Sequence, residues 1–185
     1  MTLMYPCRRS RTFFPEILRI QGNLFGRYKP MSSSEYLIST DPTKLDLDLI
    51  HKFLSEYSYW ARGIPRDVLA RSIANSLCFG VYAVGNTMLN ADWRQVGFAR
   101  VTTDRATFAY LADVFILPEH RGRGLSKRLM EAVLAHPDLQ GLRRWMLATA
   151  DAHELYRQYG FTGLSQPDNF MQRHDPDVYK PNGPQ

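Results

Sequence analysis

The chain has 185 residues, 44% of them apolar and 22% charged, with a formal net charge of +5. That length suits one domain with a substantial core, and no run of about 18 apolar residues marks a membrane-spanning helix. Two cysteines, Cys7 and Cys78, provide neither a disulfide framework nor metal-ligand spacing, and the five histidines show no such spacing either, so no metal site and a reducing, cytoplasmic setting are expected. The positive charge does not make the domain a nucleic-acid binder. Residues 1–30 carry Arg8, Arg9, Arg11, Arg19, Arg27 and Lys29 against Glu16 alone, and the remaining residues hold 17 basic and 17 acidic groups. The body of the chain is therefore electrically balanced.

Residues 1–30 differ in composition from the rest of the chain. They are Arg-rich, nearly acid-free and punctuated by Pro6, Pro15, Gly22, Gly26 and Pro30, while Met31-Ser32-Ser33-Ser34-Glu35 reads as a natural beginning. Three readings compete for this segment: a poorly ordered extension, a targeting peptide of transit composition, or a basic arm for an acidic partner. No sustained apolar stretch follows the arginines, so a secretory signal is not expected. The organisation read from sequence is a basic extension over 1–30, a folded domain over 31–175 and a loose tail over 176–185, where Pro176, Pro181, Gly183 and Pro184 interrupt regular structure.

Within the domain, Tyr36 to Ser39 reads as a short strand. Asp41 or Thr43 can cap a helix with Leu45, Leu49, Ile50, Phe53 and Leu54 inward, and a second helix runs from Arg66 to Asn75 after the Gly63-Ile64-Pro65 turn. Leu77–Val84 and Gln95–Thr102 form an antiparallel pair around a loop at Gly85, Asn86 and Asn90, and Thr107–Leu117 forms the central strand. A fifth strand spans Arg144–Ala148. Asp151 to Tyr159 reads as a short helix with an Asp151/Glu154 capping box and Gly160 just past its end. Thr162–Leu164 and Phe170–Arg173 read as two last strands. Strands interleaved with helices in this order predict a mixed α/β (α+β) sheet with helices on both faces.

The stretch from Leu111 to Leu134 carries the chemistry. An apolar strand ends at Pro118, which has no N–H for a ladder. The turn Glu119-His120-Arg121-Gly122-Arg123-Gly124 comes next, and then a helix with Leu125, Leu129, Met130, Val133 and Leu134 on one face. A helix start offers free N–H groups and the positive end of the macrodipole, and glycines let phosphates approach. The physical reading is a pyrophosphate cradle. A Walker loop would need Gly-Lys-Ser/Thr, and a dinucleotide fingerprint would need a third glycine where Lys127 stands.

The turn resembles motif A of the GNAT N-acetyltransferases, Arg/Gln-x-x-Gly-x-Gly/Ala after a strand, with Arg121, Gly124 and Ser126 at its fixed places. Leu155-Tyr156-Arg157-Gln158-Tyr159-Gly160-Phe161 is similar to the family signature Leu-Tyr-x-x-x-Gly-Phe. The resemblance covers roughly residues 36–173. It implies a mostly antiparallel sheet of six to seven strands, splayed between the fourth and fifth, with acetyl-CoA as acyl donor. The implied cofactor contacts are Arg121, Gly122, Arg123, Gly124, Leu125 and Ser126 for the diphosphate and the main chain of Val114 and Ile116 for the pantetheine arm. Ile116 is also implied as oxyanion donor. Thr149, where relatives often carry Asn, could add one hydrogen bond to that arm.

Tyr156 falls on the family's general-acid tyrosine, since a protonated phenol can donate to a departing thiolate; packing of the short helix is the alternative. Asp113 is a carboxylate in an apolar strand, where such groups are paired or functional. It would either attract the acceptor's ammonium group or pair with an arginine such as Arg100. Tyr57, Tyr59, Trp60, Phe108 and Tyr110, with Asp113, are candidates for the acceptor side. The resemblance implies transfer of an acetyl group to a primary amine of a small molecule, in a ternary complex. A peptide or protein amine is the alternative acceptor, and an acyl-CoA-binding sensor without catalysis is the alternative of another class. From the charge distribution and the lack of a spanning apolar run, neither a nucleic-acid nor a membrane partner is expected, and a homodimer is an assembly left open.

Overall fold

The computed structural model describes residues 35–87 and 90–180; the readings of residues 1–30 and of the last five residues lie outside these. The described chain forms one five-stranded sheet whose spatial order is its sequence order. Strands β1 (Glu35–Ser39), β2 (Leu77–Thr87), β3 (Asn90–Thr103) and β4 (Phe108–Ile116) are antiparallel neighbours, and β5 (Arg144–Met146) runs parallel to β4. A parallel step needs a crossover, and helix α3 (Leu125–Leu134) supplies it.

The mixed sheet with helices on both faces agrees with the sequence reading, but the strand count is five, not six or seven. Thr162–Leu164 and Phe170–Arg173 join no ladder. Their stretch is nearly all exposed and interrupted by Gly163 and by Pro167, which has no N–H to give. β5 stops at Met146 instead of Ala148. Conversely, β2 and β3 run on through the expected loop, pairing Gly85 with Asp92 and Asn86 with Ala91.

The first helical region is also divided. Asp41 caps a 3-10 turn over Pro42–Lys44, and Asp46 caps α1 (Leu47–Lys52) by accepting from the Leu49 N–H at 2.9 Å. Two aspartates five residues apart each satisfy free N–H groups, so two short helices replace the single one expected. α1 widens into a π turn over Phe53–Tyr57, and α2 (Arg66–Ala74) follows Pro65. α4 (His153–Arg157) is shorter than expected. The Asp151/Glu154 capping box does not form; instead Thr149 Oγ1 accepts from the Ala152 N–H at 3.0 Å. Tyr179, in the segment read as a loose tail, packs against the α1–α2 side of the core.

Two cores flank the sheet. Leu125, Leu129, Met130 and Val133 of α3 and Tyr156 of α4 cover one face with Phe79, Val81, Ala99, Val101 and Leu111. Ile50, Phe53, Leu54 and Leu69 cover the other with Phe98 and Phe115, and the Phe53 and Phe115 rings stack at 3.9 Å. β4 changes phase between them. Ala109 and Leu111 face α3, yet so does Ile116, while Phe115 faces α1. The cause is a bulge: Phe98 pairs with Phe115 and Arg100 with Ala112, so Ala99 faces two residues, Asp113 and Val114. One extra residue reverses the alternation of a strand.

Candidate active site

The turn from β4 into α3 leaves its main chain open. Pro118–His120 form a 3-10 turn, and Gly122 and Gly124 both take left-handed φ values, +74° and +73°. Gly124 is the N-cap of α3 and gives it no side-chain cap. Among the described residues, no acceptor takes the N–H groups of Gly122, Arg123, Gly124, Leu125 or Ser126. A Cβ on either glycine would meet nothing within 4 Å. Five consecutive N–H groups thus lack an acceptor among the described residues at the positive end of a helix, beside two glycines that leave room, the condition for holding an anion. The buried Leu125 side chain fixes the helix start to the core.

The arginines of the turn are tied back to the fold. Arg121 Nε donates to the Ile116 carbonyl at 2.9 Å, Arg123 Nη1 donates to the Tyr36 hydroxyl at 3.0 Å, and Arg128 Nη2 donates to the Tyr36 carbonyl at 2.7 Å. Tyr36 does not stand out in the sequence, because an edge strand 84 residues before the turn carries no periodic link to it.

β4 and β5 pair only between Phe108–Tyr110 and Arg144–Met146, and beyond that point no ladder joins them. This is the splay expected between the fourth and fifth strands. Phe115 lies opposite Phe98 and Leu117 donates to the Val96 carbonyl at 2.8 Å, so these residues turn their main chain to β3. By alternation Val114 and Ile116 turn theirs to the open side.

Asp113 sits in the bulge with φ +55°, unusual for a residue with a side chain. Its Oδ2 accepts from Arg100 Nε at 2.7 Å and its Oδ1 from Trp60 Nε1 at 3.2 Å. Of the two roles expected for Asp113, the arginine partner is the contact present, and it balances the charge. Arg100 also donates to the Ser76 and Thr102 hydroxyls.

Trp60 and its neighbour Tyr59 stand edge to face at 4.9 Å, and the Tyr59 hydroxyl accepts from the Ala150 N–H at 2.9 Å. Adjacent residues of one loop therefore reach β4 and the chain beyond β5. Tyr57 is exposed and leans on Phe53. Phe108 lies apart from this group: it begins β4 opposite Arg144, about 16 Å along the strand from Asp113, while Tyr110 pairs with Met146.

Tyr156 is buried, packed edge-on against Phe161. Burial, with Tyr59 and Asp151 adding, pushes its phenol up to about 12. Its ring lines a cavity of about 390 Å³ with Leu147, Ala148, Thr149 and Leu164, and no residue of β4 lines it. Tyr156 and Thr149 are thus brought together, while Val114 and Ile116 face the splay from the opposite strand. The Thr149 hydroxyl is engaged in holding the start of α4.

Comparison with known proteins decides the family. A crystal structure of a GNAT-family protein from Xanthomonas campestris pv. campestris superposes with a TM-score of 0.73 at 55% identity, covering 79% of this chain and 97% of that one. The chain belongs to the GNAT acetyltransferase family. The acetyltransferase (GNAT) domain family matches residues 85–163, and a Gibberella zeae protein named as an acetyltransferase is 39% identical over 136 residues, 66% of this chain and 76% of that protein. A Mycobacterium tuberculosis protein crystallised with CoA shares the fold, with a TM-score of 0.53 at 16% identity, covering 70% of this chain and 73% of that one. This GNAT acetyltransferase uses acetyl-CoA as acyl donor and acts on an amine acceptor. The open N–H groups of residues 122–126 fit the diphosphate of that donor, and no helix among the described residues is long and apolar enough to cross a membrane.

Proposed function

We propose that the enzyme acetylates a primary amine of a small molecule by direct attack in a ternary complex. The observation that carries this reading is the strap across the splay. Trp60 is hydrogen-bonded to Asp113 on β4 and Tyr59 to Ala150 beyond β5, so the loop bridges both sides of the gap. A bridged opening with an aromatic rim suits a compact amine better than a polypeptide, which needs an uninterrupted groove.

Acetyl-CoA supplies an acyl group on a thiolate leaving group. The residues divide the remaining work. The N–H groups of Gly122 to Ser126, with Arg121 and Arg123, hold the diphosphate. The main chain of Val114 and Ile116 holds the pantetheine arm and offers an N–H to the acyl oxygen. Tyr156 keeps a proton on its phenol oxygen at every physiological pH, the form needed to donate. Asp113, with both oxygens engaged and its charge balanced by Arg100, shapes the bulge and steadies Trp60 more than it attracts ammonium. The Trp60 face, polarised by an N–H donated to a carboxylate, offers a cation–π contact to the incoming amine.

Free-thiol release from acetyl-CoA with a panel of small amines and a panel of lysine and N-terminal peptides tests the reading. Turnover on small amines and none on peptides is expected. Peptides turned over with the higher kcat/KM would replace it by protein acetylation, and CoA binding without any thiol release would replace it by a sensor.

A further inference from the structure

Tyr36 stands in β1, far from the diphosphate turn in sequence, yet three of its contacts end there. Its hydroxyl is 2.9 Å from His120 Nδ1, Arg123 Nη1 lies 3.0 Å from the same oxygen, and Arg128 Nη2 reaches its carbonyl at 2.7 Å. The Tyr36 and His120 rings meet edge to face at 5.8 Å, and Tyr36 is 7% exposed. A guanidinium only donates, so the phenol oxygen accepts from Arg123. The phenol proton then has one acceptor among the described residues, His120 Nδ1. The bond sequence runs Arg123 to Tyr36 to His120, a direction assigned from what each group can donate and accept.

We infer that Tyr36 and His120 are positioning residues for acetyl-CoA, acting through Arg123. The pair orients one Nη of an otherwise exposed arginine and leaves its other donors without partners among the described residues. Those donors sit in the turn whose N–H groups of residues 122–126 are open. An arginine so held gives up less side-chain freedom when it meets a phosphate. Arg128, in the first turn of α3, donates to the Tyr36 carbonyl and so ties the strand's main chain to the same helix start. The inference rests on assigning the diphosphate to this turn.

The test is direct binding of CoA by calorimetry, alongside acetyl-CoA kinetics, for Tyr36→Phe, His120→Phe, His120→Asn, Arg123→Ala and the Tyr36→Phe/Arg123→Ala double variant. Tyr36→Phe should raise the CoA Kd and the acetyl-CoA KM by roughly five- to tenfold, the scale of one ordinary hydrogen bond. At saturation kcat should stay unchanged. His120→Phe should do the same, and His120→Asn, which keeps an acceptor near Nδ1, should recover most of the loss. In the Arg123→Ala background, Tyr36→Phe should have no further effect. Unchanged Kd in both phenylalanine variants, or effects that add fully in the double variant, would overturn the inference. A lowered Tm with normal Kd would leave Tyr36 a packing residue. Gly124→Glu separates the two levels: if it abolishes CoA binding while Tyr36→Phe binds normally, the turn is the diphosphate site and only the positioning role fails.

Discussion

Arg100 Nε lies 2.7 Å from Asp113 Oδ2, and the pair braces the bulge at which β4 reverses its faces. The side chains are 18% and 8% exposed. Removing one partner of so enclosed a pair strands the other charge.

Arg100→Met should therefore destabilise the fold by about 3 kcal/mol, read from urea unfolding. Asp113→Gly should cost less. It relieves a left-handed backbone strain of about 1 kcal/mol, and Arg100 keeps Ser76 and Thr102 as partners. A glycine variant with near-parental kcat would show the bulge to be what the reaction needs, whereas a collapse of kcat with intact CoA binding would return Asp113 to a direct role with the amine.

Gly124→Glu puts a carboxylate into the open space in front of the α3 N-terminus. Far-UV circular dichroism should be unchanged, with a stability loss of about 1–2 kcal/mol from the left-handed φ. The thermal shift normally produced by CoA should vanish. A shift of parental size would remove the diphosphate from this turn.

Tyr156→Phe deletes the buried phenol proton. Turnover should fall by about a hundredfold, with the acetyl-CoA KM little changed, if that proton reaches the leaving group. Since the phenol titrates at about 12, the parental kcat should show no alkaline limb from this group below about pH 11. Equal kcat in the two proteins would make Tyr156 a packing residue beside Phe161.

Among the described residues, three buried groups weaken the fold as pH rises into the alkaline range. Burial raises Tyr82 and Tyr156 from 10.0 to about 12 and Cys78 from 9.0 to about 12. Below those unfolded values the protons stay on in both states, and the stabilisation is fully present. As pH climbs from 9 toward 12 the unfolded chain sheds them first, so stability should decline across that window. Tyr82 adds a sharper case, since its buried hydroxyl has no hydrogen-bond partner among the described residues. Tyr82→Phe should raise stability by about 1 kcal/mol and soften the alkaline decline, measured by thermal melts from about pH 8 to 11. A lower Tm at the start of that range would mean that the hydroxyl is satisfied after all.

Local sequence determined the parts whose physics is local. The Arg121-to-Ser126 turn announced its geometry because Gly122 and Gly124 are the residues that adopt positive φ freely, and the α3 face was legible because its four buried side chains recur at helical spacing. The α/β layering followed from the order of such segments, and the splay between the fourth and fifth strands from the family resemblance alone. Tertiary structure decided the rest. An apolar run from Val114 to Leu117 looks alike with or without a bulge, so the reversal at Asp113 depends on the register of β3, which sets two residues opposite Ala99. The choice of Arg100 as partner, the Tyr59 and Trp60 strap, and the Tyr36 anchor join residues 13 to 91 positions apart. The two missing strands have the same origin: a strand is completed by its neighbour's hydrogen bonds, and composition alone cannot say whether that neighbour is in reach.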